Sequence, residues 1–390
     1  MSAGGVRVRR RRSRIGRSGA ILVATAIAIA VAAILLATGS LSSVGGEASP
    51  ASVSGSTLRA SFADLDGDGF LERSAGEPLV DRTELAPAAT PGRELALFAQ
   101  LSDAHVRDEE SPARAVQVDR LGSPVTEAFR PQEALSAQTM AAAVSSLNAL
   151  APDAVVVSGD LIDSAQRNEL NQALSVLEGG SVEPDSGARG YDGPQAASSA
   201  DPFIYRPDVD APTHPGLLEA AQQPFRSPGL DAPWYPVLGN HELLVQGEAP
   251  VTAQLERISV GGRRLVELDT SQAIPQRASD AEVLERALSE GLPGRTRATP
   301  ADPARRYLTA EELIGGFGEA SGLGGSAAGA TRAQDGLDYH FDVGPDLRLI
   351  VLDLVRRTGG SSGRVTGEQV AWLRGELRAA DERWIVIASH

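Results

Sequence analysis

Short apolar stretches rich in β-branched residues recur along the chain, and several of them stop abruptly at polar residues. The stretch 154–157 is too short and too uniformly apolar for an amphipathic helix, so it predicts a strand buried on both faces. Stretches 94–102 and 234–238 have the same character. Near the end of the sequence, 339–343, 348–354 and 384–390 complete a set of six predicted strands.

Helical spacing connects the first two of these strands. Met140, Val144 and Leu147 recur at intervals of three and four, which predicts a helix over 138–150 that ends before Pro152. A strand, a helix and a strand with a right-handed connection form a parallel pair. Later in the chain, a second apolar stripe predicts a helix that buries Val370, Leu373 and Leu377. The pattern as a whole indicates the α/β class.

Two long segments, 164–232 and 243–336, interrupt this pattern and are too long for ordinary connections. In the second we expect a hairpin of 257–260 and 263–268, a helix over 279–289 and a glycine-rich loop over 315–329. Insertions beside a strand-end site often form lids that select substrates, and disorder is the alternative.

Two histidines lie away from the strand ends. Strand alternation over 339–343 places His340 on the opposite face from its apolar neighbours, so we expect a surface residue. His214, between a threonine and a proline, is expected in a loop.

The N-terminus combines a basic flank with an uncharged segment. Seven arginines and no acid lie in 1–17, and 18–38 carries no charge over about twenty residues, the length of a membrane span. We expect a single hydrophobic helix that is either a cleaved export signal or a membrane anchor, with the rest of the chain exported to the cell envelope or beyond. Arg11-Arg12 would fit twin-arginine export, and a buried core helix is the alternative.

Composition narrows the classes of function. The chain of 390 residues is 42% hydrophobic and has no cysteine, so it can bury a sizeable core but has neither disulfides nor thiolate metal sites. No lysine occurs, and with seven of the 36 arginines in the basic flank, the remaining 29 face 51 acidic residues, a net charge of −22. Such a surface repels nucleic-acid backbones, so no nucleic-acid partner is expected.

The segment 39–92 is predicted to be a linker that carries an acidic loop. Asp64, Asp66 and Asp68 alternate before a glycine, as in the first half of a calcium-binding loop. The twelfth position is Ala75 where such loops have glutamate, and Glu72 is the candidate substitute. The alternative is a solvated acidic turn.

Metal-ligand side chains follow the predicted strands. Asp103-Ala104-His105 follows the first, Gly159-Asp160 and Asp163 the second, and Gly239-Asn240-His241-Glu242 the third. His390 ends the last. Because the carboxyl ends of parallel strands meet at one edge of a sheet, these side chains are expected to lie together. The three motifs in this order resemble the calcineurin-like metallophosphoesterase family, in an exported form with long insertions.

The resemblance implies a four-layer fold over 93–390, with two packed mixed β-sheets flanked by helices. It implies hydrolysis of a phosphate mono- or diester by a hydroxide that bridges two metal ions. The first ion would be bound by Asp103, His105 and Asp160, and the second by Asp160, Asn240 and His390. Oxygen and nitrogen ligands without thiolate suit Mn, Fe or Zn.

The resemblance also assigns acid–base roles. His241 would protonate the leaving oxygen and Asp163 would orient His241 through a hydrogen bond. The family closes its site with a Gly-His-x-His motif beyond the strand that His390 ends, and this sequence lacks it. We therefore expect an incomplete domain that binds metal weakly and exposes apolar surface around 384–387.

Two other functions compete with this interpretation. Ser361 lies in Gly359-Gly360-Ser361-Ser362-Gly363, the spacing of a serine-hydrolase nucleophile elbow, although three residues separate it from the preceding strand. The other alternative is a non-catalytic, calcium-binding envelope protein that keeps a degenerate phosphoesterase fold.

Overall fold

The computed structural model has a mixed α/β architecture and describes residues 56–68, 70–78, 84, 92–121, 128–269, 271, 291–324 and 336–390. The strands are β1 (Ala60–Ala63), β2 (Glu72–Ala75), β3 (Phe98–Leu101), β4 (Ala154–Val157), β5 (Gly180–Val182), β6 (Phe225–Ser227), β7 (Trp234–Pro236), β8 (Leu244–Val245), β9 (Ala249–Pro250), β10 (Arg263–Leu268), β11 (Gly294–Ala298), β12 (Tyr339–Val343), β13 (Leu347–Leu352) and β14 (Trp384–Ser389). The helices are α1 (Ser136–Leu150), α2 (Arg167–Glu178), α3 (Leu217–Ala221), α4 (Ala253–Val260), α5 (Ala310–Ala320) and α6 (Gly367–Ala379), with short 3-10 turns between them.

Some predictions fall outside these residues. The basic flank 1–17, the hydrophobic segment 18–38 and the helix expected over 279–289 are among them. Across the described ranges, no helix is both long and apolar enough to cross a membrane.

A parallel three-stranded sheet forms the base of the site. Its order is β3-β4-β7, so β4 is the central strand, and all four of its residues are buried. Helix α1 provides the predicted crossover between β3 and β4, and it ends at Ala151, which adopts a left-handed conformation just before Pro152. The parallel sheet brings the chain segments after β3, β4 and β7 to one edge, as predicted.

The second sheet is mixed and packs against the first. Its strands β12 and β13 are antiparallel, whereas β13 and β14 are parallel. The rings of Tyr235 and Phe341 stack with centroids 3.6 Å apart, and the Tyr339 hydroxyl donates a hydrogen bond of 2.7 Å to the Pro236 carbonyl. One hydrophobic cluster therefore contains residues of both sheets.

The two isolated histidines lie close to where they were expected. His340 is on the face opposite the buried Tyr339 and Phe341, but it is half-buried, with its Nδ1 atom 2.8 Å from Glu376 Oε2. His214 lies in a loop, where its backbone N–H donates to the Pro207 carbonyl.

The described parts of both long insertions contain regular elements. Segment 164–232 holds α2, α3 and the hairpin of β5 and β6, and segment 243–336 holds α4, α5 and the hairpins β8–β9 and β10–β11.

Two predictions for the second insertion were wrong. Residues 257–260 belong to helix α4, because Thr252 caps the helix by accepting from the Leu255 N–H and because Leu255 and Ser259 are buried one turn apart. The strand β10 instead pairs with β11. Residues 315–320 are the end of α5, not a loop. Gly316 faces Leu170 on α2, where an added Cβ would lie 3.3 Å from the Leu170 Cδ2 atom, so the glycine permits close helix packing.

The predicted buried stripe on the last helix was also wrong. Val370 and Leu377 of α6 are 37% and 40% exposed, and the helix buries the polar Gln369, which donates to Asp338. Leu373, the third residue of the predicted stripe, is half-buried. On the neighbouring strand, Trp384 is 69% exposed, in agreement with the expected apolar surface there.

Candidate metal centre

One oxygen atom, Asp160 Oδ2, lies close to three imidazoles, those of the predicted ligands His105 and His390 and that of the predicted acid His241. It lies 3.0 Å from His390 Nε2, 3.8 Å from His105 Nε2 and 4.0 Å from His241 Nε2. His105 Nε2 is in turn 3.9 Å from Asp103 Oδ1. Ligand bonds of about 2.0–2.2 Å place neighbouring donor atoms roughly 3–3.5 Å apart, so these separations suit metal binding after small adjustments.

The backbone turns sharply where the ligands are. Asp103, His105 and Asp160 all have positive φ angles, of 55°, 43° and 50°. The loops that carry them are tied together by backbone hydrogen bonds from Asp103 N–H to the Gly159 carbonyl and from His105 N–H to the Asp160 carbonyl. The sheet ladder between β3 and β4 thus continues into the site and fixes the two ligand loops against each other.

The other carboxylate oxygen of Asp160, Oδ1, contacts the motif Gly239-Asn240-His241-Glu242. It accepts the His241 backbone N–H at 3.0 Å. Gly239 is packed against it so closely that an added Cβ would lie 2.1 Å from Oδ1, which explains the glycine at this position. Because Oδ1 is fixed in this way, Oδ2 is left to face the imidazoles.

Glu242 connects the segment after β4, which carries Asp160, with its own motif Gly239-Asn240-His241-Glu242. The sequence showed its place in that motif but did not suggest this role. Its side chain is fully buried. One oxygen accepts the N–H groups of Asp160 and Gly239, and the other accepts those of Leu161 and Ile162, at 2.7–3.1 Å. A single carboxylate therefore satisfies four backbone donors at the ends of β4 and β7.

His241 contacts Asp163 twice. Its Nδ1 atom is 2.7 Å from the Asp163 carbonyl oxygen and 3.5 Å from the Asp163 Oδ1 atom. Burial disfavours the charged imidazole, but the hydrogen bond and charge of Asp163, followed by the charge of Asp160, raise the pKa of His241 to about 9. An imidazolium that uses Nδ1–H in this way keeps Nε2–H available as a proton donor.

Asp163 stays ionised although it is fully buried. Burial favours its neutral form, but Arg107 and the imidazoles of His105 and His241 hold its pKa well below the usual range. The Arg107 guanidinium forms an ion pair with Asp163 Oδ1, and His105 Nδ1 is 3.5 Å from the same oxygen. The carboxylate therefore faces both histidines.

Asn240 and His390 are the remaining residues of the expected ligand set. The Asn240 side-chain amide donates to the Gly247 carbonyl at 3.0 Å, so its oxygen is the atom left for a cation. His390 Nδ1 is 2.9 Å from the Ser158 carbonyl, which directs Nε2 towards Asp160. A carbonyl partner on the far nitrogen is typical of metal-binding imidazoles. The hydrogen bond with Asp160, opposed by burial, raises the pKa of His390 to about 9.

A different group of donors overlaps this site. Atoms of His105, Asp163 and His241 also lie within 4.8 Å of one another. The Arg107 guanidinium already neutralises the Asp163 carboxylate, and a cation placed there would face its positive charge. The group of Asp103, His105 and Asp160 is the better metal site.

The acidic loop brings three carboxylates together. Asp64, Asp66 and Asp68 are exposed and offer oxygens within 4.8 Å of one another. Each also accepts a backbone N–H inside the loop, as in the bond of 2.7 Å from Gly67 to Asp64. Glu72, the fourth candidate, lies on β2 and is not part of this group.

Ser361 is exposed in the segment between β13 and α6. The downstream histidine that a serine hydrolase would need, His390, instead contacts Asp160 and Ser158. Comparison with family models and with curated proteins gives no match for this chain.

Proposed function

We propose that this protein is a metal-dependent phosphoesterase of the calcineurin-like type. The observation that carries the proposal is the arrangement around Asp160, whose Oδ2 atom lies within 3.0–4.0 Å of three imidazole nitrogens. The two packed sheets agree with the four-layer fold that this family implies. Two metal ions of the Mn, Fe or Zn type would be held by Asp103, His105, Asp160, Asn240 and His390.

Bound metal ions would lower the pKa of a water molecule and neutralise the phosphoryl oxygens. The oxygen of a water molecule would form the new bond to phosphorus while the bond to the leaving oxygen breaks. His241 gives its Nε2 proton to the leaving oxygen and is reprotonated from solvent, and the proton lost by the attacking water also goes to solvent. Asp163 holds the His241 ring through Nδ1 during this transfer.

The substrate class we propose is a phosphate mono- or diester outside the cytoplasm. The net charge of −22 beyond the basic flank argues against long polyanions, because these would be repelled before they reach the site. If the segment 18–38 stays uncleaved, the membrane would hold the protein at the cell envelope.

Metal analysis of the purified protein, with Asp160→Asn and the exposed Asp231→Asn as a matched control, tests the metal site. With Mn²⁺ added in excess, because binding is expected to be weak, we expect two metal ions per chain in the wild type and the control, and loss of both in Asp160→Asn. Metal that remains bound in Asp160→Asn would overturn the proposal.

Turnover tests the catalytic role. With an alkyl phosphate as substrate and added Mn²⁺, His241→Ala should keep its metal but lose about 10²–10⁴-fold in kcat, the usual share of acid–base catalysis, because an alkoxide needs a proton as it leaves. Loss of metal in this variant would make His241 a ligand. Metal binding without any turnover in the wild type would favour the non-catalytic envelope protein.

A further inference from the structure

Arg107 is buried directly behind the proposed site. Its side chain is only 4% exposed, and its two terminal nitrogens form ion pairs with different carboxylates, one with Asp163 and the other with Glu133. Asp163, in turn, is the carboxylate whose Oδ1 atom lies 3.5 Å from the Nδ1 atoms of both His105 and His241. A single guanidinium is therefore in contact with the group that faces both imidazoles.

The far side of this contact is anchored. Glu133 lies on the 3-10 turn Pro131–Leu135, and its oxygens are also 3.3 Å from Arg130 Nη1 and 3.7 Å from Arg114 Nη2. Arg114 forms a further buried ion pair of 2.6 Å with Glu109. Buried charges persist only when they are paired, so this row of alternating charges fixes the position of the guanidinium.

We propose that Arg107 is a positioning residue for the reaction. It holds the Asp163 carboxylate where that group orients His241 for proton donation, and its charge keeps Asp163 from serving as a metal ligand. The proposal rests on the proposed phosphoesterase function. It concerns the geometry of His241 and not the metal ions themselves.

The contact geometry requires arginine. A planar guanidinium presents separate nitrogens to Asp163 and Glu133 at the same time, whereas the ammonium of lysine is a single point charge. Arg107→Lys should therefore retain part of the kcat that Arg107→Gln loses.

Substrates whose leaving groups differ in basicity distinguish a positioning role of Arg107 from a general loss of active-site structure. A 4-nitrophenolate leaves with little help, whereas an alkoxide needs a proton as it departs. If Arg107 acts through His241, Arg107→Gln should lower kcat by about 10²-fold or more for an alkyl phosphate, and by roughly tenfold or less for 4-nitrophenyl phosphate. KM should change little, and both metal ions should remain bound.

The comparison uses wild type, Arg107→Gln, Arg107→Lys and the exposed Arg226→Gln as a control that keeps full activity. Should Arg107→Gln fail to fold, Glu133→Gln loosens the same guanidinium from the other side and should show the same substrate dependence. Equal losses for both substrates, or loss of metal from a folded variant, would overturn the positioning role while the proposed function stands. A wild type that hydrolyses neither substrate would overturn both.

Discussion

Substitution of Glu242 tests most directly which hydrogen bonds hold the candidate site together. Its carboxylate is fully buried and accepts four backbone N–H groups, from Asp160 and Gly239 on one oxygen and from Leu161 and Ile162 on the other. Glu242→Gln keeps the size of the side chain but replaces one oxygen by an NH₂ group. Whichever way the amide is turned, two backbone donors then face another donor.

The expected cost follows from those two donors. A buried polar group left without its partner costs about 1–3 kcal/mol, so Glu242→Gln should lower the free energy of unfolding by about 2–6 kcal/mol. This is a large part of the roughly 5–15 kcal/mol that stabilises a typical domain. The same substitution should loosen the turn that carries Asp160 and so weaken metal binding.

Urea unfolding followed by tryptophan fluorescence measures this loss, with Glu248→Gln as the control. Glu248 is exposed in the turn between β8 and β9, so its substitution should change the free energy of unfolding by less than about 0.5 kcal/mol. If Glu242→Gln were no more destabilising than the control, the four hydrogen bonds would not hold the two motifs together, and the account of the site given above would be wrong.

Two further predictions concern the same site. Gly247 has a φ of +71°, and an added Cβ would lie 2.3 Å from His241 Nε2. Gly247→Ala should therefore lower kcat at least about tenfold. Gly315→Ala, at a position of α5 with open space around it, is the control and should not lower kcat. The raised pKa of His390, about 9, means that a metal ion has to displace a proton from this imidazole at lower pH. Apparent metal affinity, measured by calorimetry, should therefore increase with pH, by about tenfold per unit between pH 6 and 8 for each proton displaced. A pH-independent affinity would show that His390 is not a ligand.

The ends of the strands around the site could be predicted because a pattern of neighbouring residues in the sequence marks each of them. The buried strand at 154–157 has a continuous β-branched pattern, and Asp160 follows it at a fixed distance. Parallel pairing then brings its end next to those of β3 and β7. Nothing beyond the order of the strands was needed to place Asp103, His105 and Asp160 at one edge.

The errors arose where the deciding partner is distant in sequence. Ile258 and Val260 favour a strand by composition, but the N-terminal cap at Thr252 and the burial of Leu255 decide for a helix. Burial of charged residues, which the sequence did not predict, depends on distant partners in the same way: residues 107–110 are all buried, and Asp108 forms an ion pair with Arg305. A local pattern gives no sign of such partners.

The left-handed backbone at Asp103, His105 and Asp160 has a consequence for laboratory evolution of this protein. Each of these residues holds its side chain in a conformation that costs about 1 kcal/mol or more for any residue other than glycine. Replacement by glycine would relieve that cost and remove a ligand in the same step. At the exposed Asp103, selection for heat resistance alone should therefore enrich glycine, so a library screened in that way would lose a proposed metal ligand while its melting temperature increased. At the buried Asp160 the same change would also remove the acceptor of the His241 N–H, and that loss opposes the gain.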